Sequence, residues 1–269
     1  MQGSLGEKIG EGASADIHAW APGQVVKLFK AGVSRQFGKH EARMTRAAFA
    51  AGAPAPEVLD EVTLEGRFGI VLPRFDGPTL LQLFLSGAMT SEQVGAILAS
   101  LYLSVHKTPP PDVVSLRDWI DAVSRNSATL PKHLAAGVLT LIDRLRPGDG
   151  LCHTDLHPGN VIMTGDGPKI IDWAGALRAP AVFDIGRAHV TLSELVPEDA
   201  DPELLRAINA AMQSEYARLA GISLAKLTAA MQPYLPILRA FVLLQQRPAT
   251  PAQRERLIQR IEAALRSED

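Results

Sequence analysis

The residues best suited to chemistry crowd into Leu151-Cys152-His153-Thr154-Asp155-Leu156-His157-Pro158-Gly159-Asn160-Val161, and a further acid, Asp172, follows in Ile170-Ile171-Asp172-Trp173. Asp155 and Asn160 lie five positions apart, and Asp172 comes twelve after Asn160. Such a set suits metal-assisted phosphoryl transfer. One carboxylate orients an attacking hydroxyl, while an amide oxygen and a second carboxylate hold magnesium on nucleotide phosphates. The intervening residues supply the geometry. Val161–Thr164 and Lys169–Ile171 read as short strands joined by the turn-forming Gly165-Asp166-Gly167-Pro168. A hairpin sets the residue before its first strand beside the one after its second, so Asn160 and Asp172 are expected to converge on one ion. Taken alone, the His153-x-Asp155 step would read as a polar turn; the whole constellation at this spacing is what points to chemistry.

Other elements must bring a nucleotide to this loop. Near the N-terminus, Ile9-Gly10-Glu11-Gly12-Ala13-Ser14-Ala15-Asp16-Ile17 has the form GxGxxA followed by an apolar residue. Glycines permit close backbone approach, and successive N–H groups can cradle phosphate oxygens, although any hairpin turn can carry two glycines. Val25-Val26-Lys27-Leu28-Phe29 is an apolar strand with one embedded lysine, which could simply face solvent. A helix is expected from the N-cap Ser34 to about Ala51, stopped by Gly52. Phe37, Glu41, Met44 and Ala48 share one face of it. An unpaired carboxylate in that apolar stripe would be costly, and Lys27 is the natural partner for Glu41.

Bulk properties set the frame. The chain has 269 residues, 46% hydrophobic and 21% charged, which suits a globular protein with a sizeable core and a two-lobed organisation. A formal net charge of −2 gives no reason to expect nucleic acid or an anionic membrane as partner. The single cysteine, Cys152, precludes an intramolecular disulfide and a cysteine-based zinc site, and reads as a small buried hydrophobe. No signal peptide and no apolar run near the ~20 residues of a membrane span are expected, so a cytoplasmic setting is the default.

After Thr79 the pattern becomes helical. Thr90-Ser91-Glu92 opens a run to about Lys107 with Val94, Ile97, Leu98, Leu101 and Val105 as its core stripe, and His106 ends it as a packing or capping residue. A stiff linker, Thr108-Pro109-Pro110-Pro111-Asp112, precedes helices near Leu116–Thr129 and Pro131–Leu145, and Pro147-Gly148-Asp149-Gly150 leads into the reactive loop. Further helices are expected around Leu224–Gln246 and Pro251–Arg266. Glu194, Glu198, Asp199, Asp201 and Glu203 form an acidic cluster that could greet a cationic substrate. The plainer reading is that Asp201-Pro202-Glu203 starts a helix.

His153-x-Asp155-x-His157-Pro158-x-Asn160 with Ile171-Asp172-Trp173 resembles the catalytic and metal motifs of the aminoglycoside phosphotransferase and choline-kinase-like family. The resemblance implies an α+β, protein-kinase-like fold. Residues 1–76 would form a small nucleotide-binding lobe of antiparallel strands with one helix, and 77–269 a larger, mainly helical lobe. It implies ATP or GTP as donor, Mg²⁺, and a hydroxylated small molecule as acceptor. Asp155 takes the role of catalytic base, and Asn160 and Asp172 those of metal ligands. Gly10, Gly12, Ser14, Ile17, Val25 and Lys27 surround the phosphates, with Glu41 fixing Lys27. The stretch Arg67–Gly77, a buried strand ending in a polar turn, matches the hinge, with Leu72 beside the base, the Pro73 carbonyl as acceptor and the Phe75 N–H as donor; a plain interdomain strand and turn is the alternative. His153 and His157 support the loop, and Asp184 either hydrogen-bonds to the loop backbone or caps a helix.

Departures from the family pattern are equally specific. Thr154 stands where many relatives have Gly, and Ala174 where an acid is frequent. Aromatic residues make up only 5%, which disfavours a quaternary ammonium acceptor. Two other classes compete with a small-molecule kinase. A silent nucleotide-binding module is disfavoured by the complete residue set. A protein kinase is disfavoured because too little chain lies between Asp172 and Asp184 for an activation segment.

Overall fold

Short segments rich in apolar residues at the N-terminus assemble into one antiparallel sheet. In this computed structural model, which describes residues 5–109, 112–145, 148–196, 198, 200–245 and 250–266, the strands are β1 (Lys8–Glu11), β2 (Ala15–Ala19), β3 (Gln24–Phe29), β4 (Asp60–Leu64) and β5 (Arg67–Pro73). Their spatial order is β1-β2-β3-β5-β4. Pro110, Pro111, Pro147, Asp199 and Gln246 lie outside the described residues. Helix α1 (Arg35–Ala50) crosses from β3 to β4; its N-cap Ser34 accepts from the Phe37 amide, and Gly52 follows at φ +91°. Glu41, Met44 and Ala48 are buried as expected, but Phe37 is 41% exposed. It sits in the first turn with its ring edge-on to Phe29, while its neighbour Gly38 takes the buried position against Phe29 and Phe68.

The remaining chain is largely helical: α2 (Leu80–Leu85), α3 (Ser91–His106), α4 (Leu116–Asn126) and α5 (Lys132–Arg144), followed after the reactive loop by α6 (Ala181–Glu194), α7 (Pro202–Leu219), α8 (Leu224–Met231), α9 (Leu235–Leu244) and α10 (Pro251–Arg266). Capping boxes at Thr79/Gln82 and Thr90/Gln93 start α2 and α3. Val94, Leu98, Leu101 and Val105 are buried, packed in one cluster with Met212 and Tyr216 of α7 and with Leu156 and Trp173 of the loop. The stretch expected as one helix from Leu224 is interrupted by a tight turn at Gln232–Tyr234, since Pro233 and Pro236 lack the N–H groups a continuous helix needs. Contrary to expectation, Leu224–Leu244 is long and apolar enough to cross a membrane by length and composition. It is 67% buried within the protein and supplies the core against α4, α5 and α10. Asp201 caps α7 by accepting from the Glu203 amide, and Glu194 is bound by Arg239 and Arg260, so much of the acidic cluster serves structure.

Two short sheets carry the reactive loop. β6 (Gly150–Cys152) pairs with β9 (Leu177–Ala179), and β7 (Val161–Thr164) pairs with β8 (Gly167–Ile170). The hairpin turn is tighter than expected. Thr164 pairs with Gly167, leaving two turn residues, and Pro168 belongs to the strand. The Thr164 hydroxyl closes this turn by donating to the Gly167 carbonyl and accepting from the Asp166 amide.

The loop backbone is anchored from α6. Asp184, wholly buried, accepts from the His153 amide at 2.9 Å on Oδ2 and from the Thr154 amide at 2.8 Å on Oδ1. His106 Nε2 approaches Oδ2 at 3.3 Å while its Nδ1 meets the Tyr216 hydroxyl at 2.8 Å. The N-cap of α6 is Pro180, so Asp184 braces the loop and does not cap the helix. Burial works to raise the Asp184 pKa, but His106, His153 and the backbone N–H groups outweigh it and hold the carboxyl below its ordinary value of 3.8. His106, Cys152 and Asp184 gather as a metal site might, yet both carboxylate oxygens are engaged in this brace. Cys152 is buried with its thiol pKa pushed well up by desolvation, which makes it inert as a nucleophile.

Two outcomes follow from these contacts. Gly77 links the sheet to the helical part at φ +152°, where an added Cβ would lie 2.0 Å from the Met163 carbonyl oxygen. Gly77→Ala is expected to lower stability by about 3 kcal/mol or more in urea unfolding. Gly87→Ala, at φ +74° with open space around it, should lose only about 1 kcal/mol. For Asp184, the lowered folded pKa means that its stabilisation is complete above the ordinary carboxylate range and is lost as pH falls through the folded value. Asp184→Asn should therefore be less stable at pH ~7 by roughly 2–4 kcal/mol and show a flatter acid dependence, read from thermal melts between about pH 3 and 7.

Candidate active site

Lys27 is placed by sheet register. It stands opposite Ile17 on β2 and Ile70 on β5, with its side chain nearly buried. Its ammonium lies 2.5 Å from Glu41 Oε1 on α1 and 3.4 Å from Asp172 Oδ1, just past β8. Burial opposes the charge on Lys27, but the Glu41 and Asp172 carboxylates outweigh it and hold its pKa above the ordinary 10.5, so the side chain stays an ammonium. For Glu41, burial in the apolar stripe pushes the carboxyl upward against the pull of Lys27. The expected pair has formed, and it has acquired a second acid from the other side of the cleft.

The β1–β2 turn lies over the same strand. Gly10 pairs with Ile17, and the Gly12 amide closes the turn on the Ala15 carbonyl at 2.8 Å. Ser14 is tied to the end of β3 through Lys30, whose amide donates to the Ser14 carbonyl. Farther along the sheet, Val25 faces Leu72 across β3 and β5, and Pro73 faces Gln24. Leu72 packs partly buried beside Phe29 and Ile70, while Pro73 and Phe75 are half-exposed. Leu72 and Pro73 end the strand that leaves the sheet and Phe75 follows it; the Arg74 amide, which donates to the Gly23 carbonyl, fixes the exit.

On the opposite side, the loop is built from hydrogen bonds that run through its own residues. His153 Nε2 faces the Ile171 carbonyl at 3.1 Å and must donate, leaving Nδ1 to accept from the Asp155 amide at 3.2 Å. The imidazole also stacks edge-on against Trp173, whose indole N–H reaches the Ile170 carbonyl. His157 caps the short turn Pro158–Asn160 by accepting from the Gly159 amide. Both histidines are thus supports, as expected.

Asn160 Nδ2 donates to the Asp155 carbonyl at 3.0 Å, which orients the amide and leaves Oδ1 as the atom that could hold a metal ion. The Ile171 amide donates to the Asn160 carbonyl, so the hairpin does set Asn160 beside the residue preceding Asp172. Asp172 itself has φ +64°, ψ +65°, a left-handed conformation that aims its side chain back across the cleft toward Lys27. An amide oxygen and a carboxylate are hard oxygen donors of the kind magnesium prefers, and the half-exposed Asp172 keeps them reachable. The residues fit that ion.

Thr154 explains its own oddity. It also has φ +64°, rare for a β-branched residue, yet its amide is held by Asp184 and its hydroxyl donates to the Gly175 carbonyl at 2.9 Å. The backbone angle at Thr154 is thus held by two bonds from the residue's own amide and hydroxyl.

Sequence reasoning missed two residues. His40, next to Glu41, reaches the Ala174 carbonyl with Nε2 at 3.0 Å and ties α1 to the segment after Asp172. Arg187 extends from α6 to within 3.5 Å of Asp155 Oδ1. Its signal was available: Asp184, Arg187 and Thr191 recur at helical spacing on one face.

The comparisons agree with this arrangement. The profile of the phosphotransferase enzyme family matches residues 6–222. No curated protein matches the sequence. Among solved structures, an aminoglycoside-3′-phosphotransferase of type VIII is 20% identical with a TM-score of 0.58, covering 90% of this chain and 94% of that one. A choline/ethanolamine kinase family protein from Mesorhizobium loti is 17% identical with a TM-score of 0.55, covering 97% and 87%. An aminoglycoside phosphotransferase from Streptomyces rimosus, in complex with ADP and streptomycin, is 20% identical with a TM-score of 0.53, covering 83% and 91%. At these identities the neighbours speak for a shared kinase-like fold. The profile match, spanning both the lysine-bearing sheet and the reactive loop, makes the chain a member of the phosphotransferase enzyme family.

Proposed function

We propose that this protein transfers the γ-phosphoryl group of ATP or GTP to a hydroxyl group of a small molecule, with Mg²⁺. The observation that carries the reading is the meeting of Lys27 and Glu41, from the sheet and its helix, with Asp172, which comes from the hairpin that also carries Asn160, itself bonded to the Asp155 carbonyl. In this reading Lys27 contacts the nucleotide phosphates, and Glu41 keeps it in place. The Gly10–Ser14 turn covers the phosphates, and the strand through Leu72, Pro73 and Phe75 receives the base. Asn160 Oδ1 and Asp172 would hold magnesium, which neutralises charge on the phosphates when bound. Asp155 orients the acceptor hydroxyl and takes its proton as the new oxygen–phosphorus bond forms and the bond to the departing diphosphate breaks. Related structures hold ADP in one case and GDP in another, which is consistent with either donor.

A small cavity of about 20 Å³ beside Asp155 is lined by Leu98, Tyr102, Leu156, His157, Arg187 and Leu192. That is room for about one water and not for an acceptor, so the acceptor approaches Asp155 from outside it. Glu194 of the acidic cluster is bound by Arg239 and Arg260, which leaves that carboxylate compensated and weakens the case for the cluster as a cation site.

The test is an ADP-release screen over hydroxylated metabolites and aminoglycosides with purified protein. Turnover is expected with Mg²⁺, is expected to vanish on chelation, and should fall at least about 100-fold in Asp155→Ala while ADP affinity stays within about twofold. Lys27→Met should weaken nucleotide binding about tenfold or more, and Glu41→Gln, which keeps size but drops the charge, should weaken it less. Tight nucleotide binding with no transfer to any acceptor would sink the catalytic reading and favour a silent binding module.

A further inference from the structure

Among the described residues that line the cavity beside Asp155, Arg187 is the charged side chain to which the reaction scheme above gives no task. It lies in the second turn of α6, three residues after Asp184, and its side chain is only 4% exposed. Nη2 stands 3.5 Å from Asp155 Oδ1 and 3.5 Å from Gln245 Oε1, and Nη1 donates to the Thr191 hydroxyl. Burying a guanidinium among Leu98, Tyr102, Ala188 and Leu192 is unfavourable unless its charge is compensated, and Asp155 is the carboxylate it faces. The contact reaches across 32 positions of sequence, from a helix to the residue whose angle decides where an acceptor hydroxyl sits.

Helix α6 therefore holds the loop twice. Asp184 takes the backbone N–H groups of His153 and Thr154, while Arg187, on the same face, takes the side chain of the next residue. The Asp184 bonds stop at the backbone of the two residues before Asp155, whereas Arg187 meets the Asp155 carboxylate itself. Gln245 at the end of α9 and Thr191 one helical turn on keep the guanidinium from following the carboxylate if it turns. We propose that Arg187 is a positioning residue for phosphoryl transfer, pinning the Asp155 carboxylate in the orientation that receives the acceptor hydroxyl. This rests on the phosphotransferase reading of Asp155, but the geometric part of it can be judged apart from turnover.

The experiment compares crystal structures, ADP affinity and steady-state kinetics of the wild type, Arg187→Lys and Arg187→Met. The expected result is a displaced Asp155 carboxylate in Arg187→Met with the loop backbone unchanged. ADP affinity should stay within about twofold. With any acceptor that turns over, kcat should fall about 100-fold while KM changes less than about threefold, since a misplaced reacting group costs rate more than binding. Arg187→Lys should restore at least about tenfold of the loss, and it keeps the buried charge compensated if Arg187→Met fails to fold. An Asp155 carboxylate that stays in place in both variants overturns the proposal, as does a loss shared equally by ADP binding, which marks general structural damage. If the wild type turns over no acceptor, the phosphotransferase reading fails while the position of Asp155 still decides the role of Arg187.

Discussion

A buried ammonium between two carboxylates from different parts of the chain is the constraint around which this molecule is arranged. Lys27 comes from the central strand of the sheet, Glu41 from the helix over it, and Asp172 from the hairpin of the helical part. Glu41 Oε2 is buried without a hydrogen-bond partner, so the charge of that carboxylate is supported by Lys27. Removing either partner leaves an uncompensated charge in a low-dielectric site, a loss larger than the net worth of the pair. The sheet, α1 and the hairpin are consequently fixed relative to one another by electrostatics as well as by packing. His40 adds a neutral tether on the same route through the Ala174 carbonyl.

The helical part solves a different problem, which is to hold an irregular loop whose backbone cannot satisfy itself. Strands β6 and β7 on either side of it are short, and between them the N–H groups of His153, Thr154 and Asp155 need acceptors. Asp184 supplies two and His153 Nδ1 the third. Each acceptor is buried, and each is held in turn: Asp184 by His106, and His153 by the Ile171 carbonyl and Trp173. Buried polar groups are tolerable only when such a network is closed.

Much of this was legible in the sequence because the nucleotide side is written in short contiguous pieces. Strand register follows from alternation, the Ser34 and Thr90 caps mark helix starts, and one buried acid in the stripe of α1 points to Lys27. The hairpin between Asn160 and Asp172 was also legible, although its turn spans two residues where four were expected, because Thr164 closes it with its own hydroxyl. What escaped were side chains whose partners lie far away in sequence. Arg187 and Asp155 are 32 positions apart, His40 and Ala174 134 apart. Phe37 escaped for a local reason: Gly38 beside it takes the close approach to Phe29 and Phe68, and Phe37 itself stays 41% exposed. No apolar run near the length of a membrane span was expected, yet Leu224–Leu244 qualifies by length and composition, and its two prolines allow the bend that lets it serve as core.

Thr154 shows how a local departure can be absorbed without changing the site. A threonine at φ +64° is strained by on the order of 1–2 kcal/mol relative to glycine. Its hydroxyl, however, reaches the Gly175 carbonyl, joining the loop to the segment that follows Asp172. A glycine there would relieve the strain and lose that link. Three neighbouring contacts thus converge on residues 171–175: His153 on Ile171, His40 on Ala174 and Thr154 on Gly175. All three receive their bonds through backbone carbonyls, so the identity of the side chain at 174 matters less than the path of the chain. That is why Ala174 can stand where an acid is frequent in the family while Asp172 keeps its orientation toward Lys27.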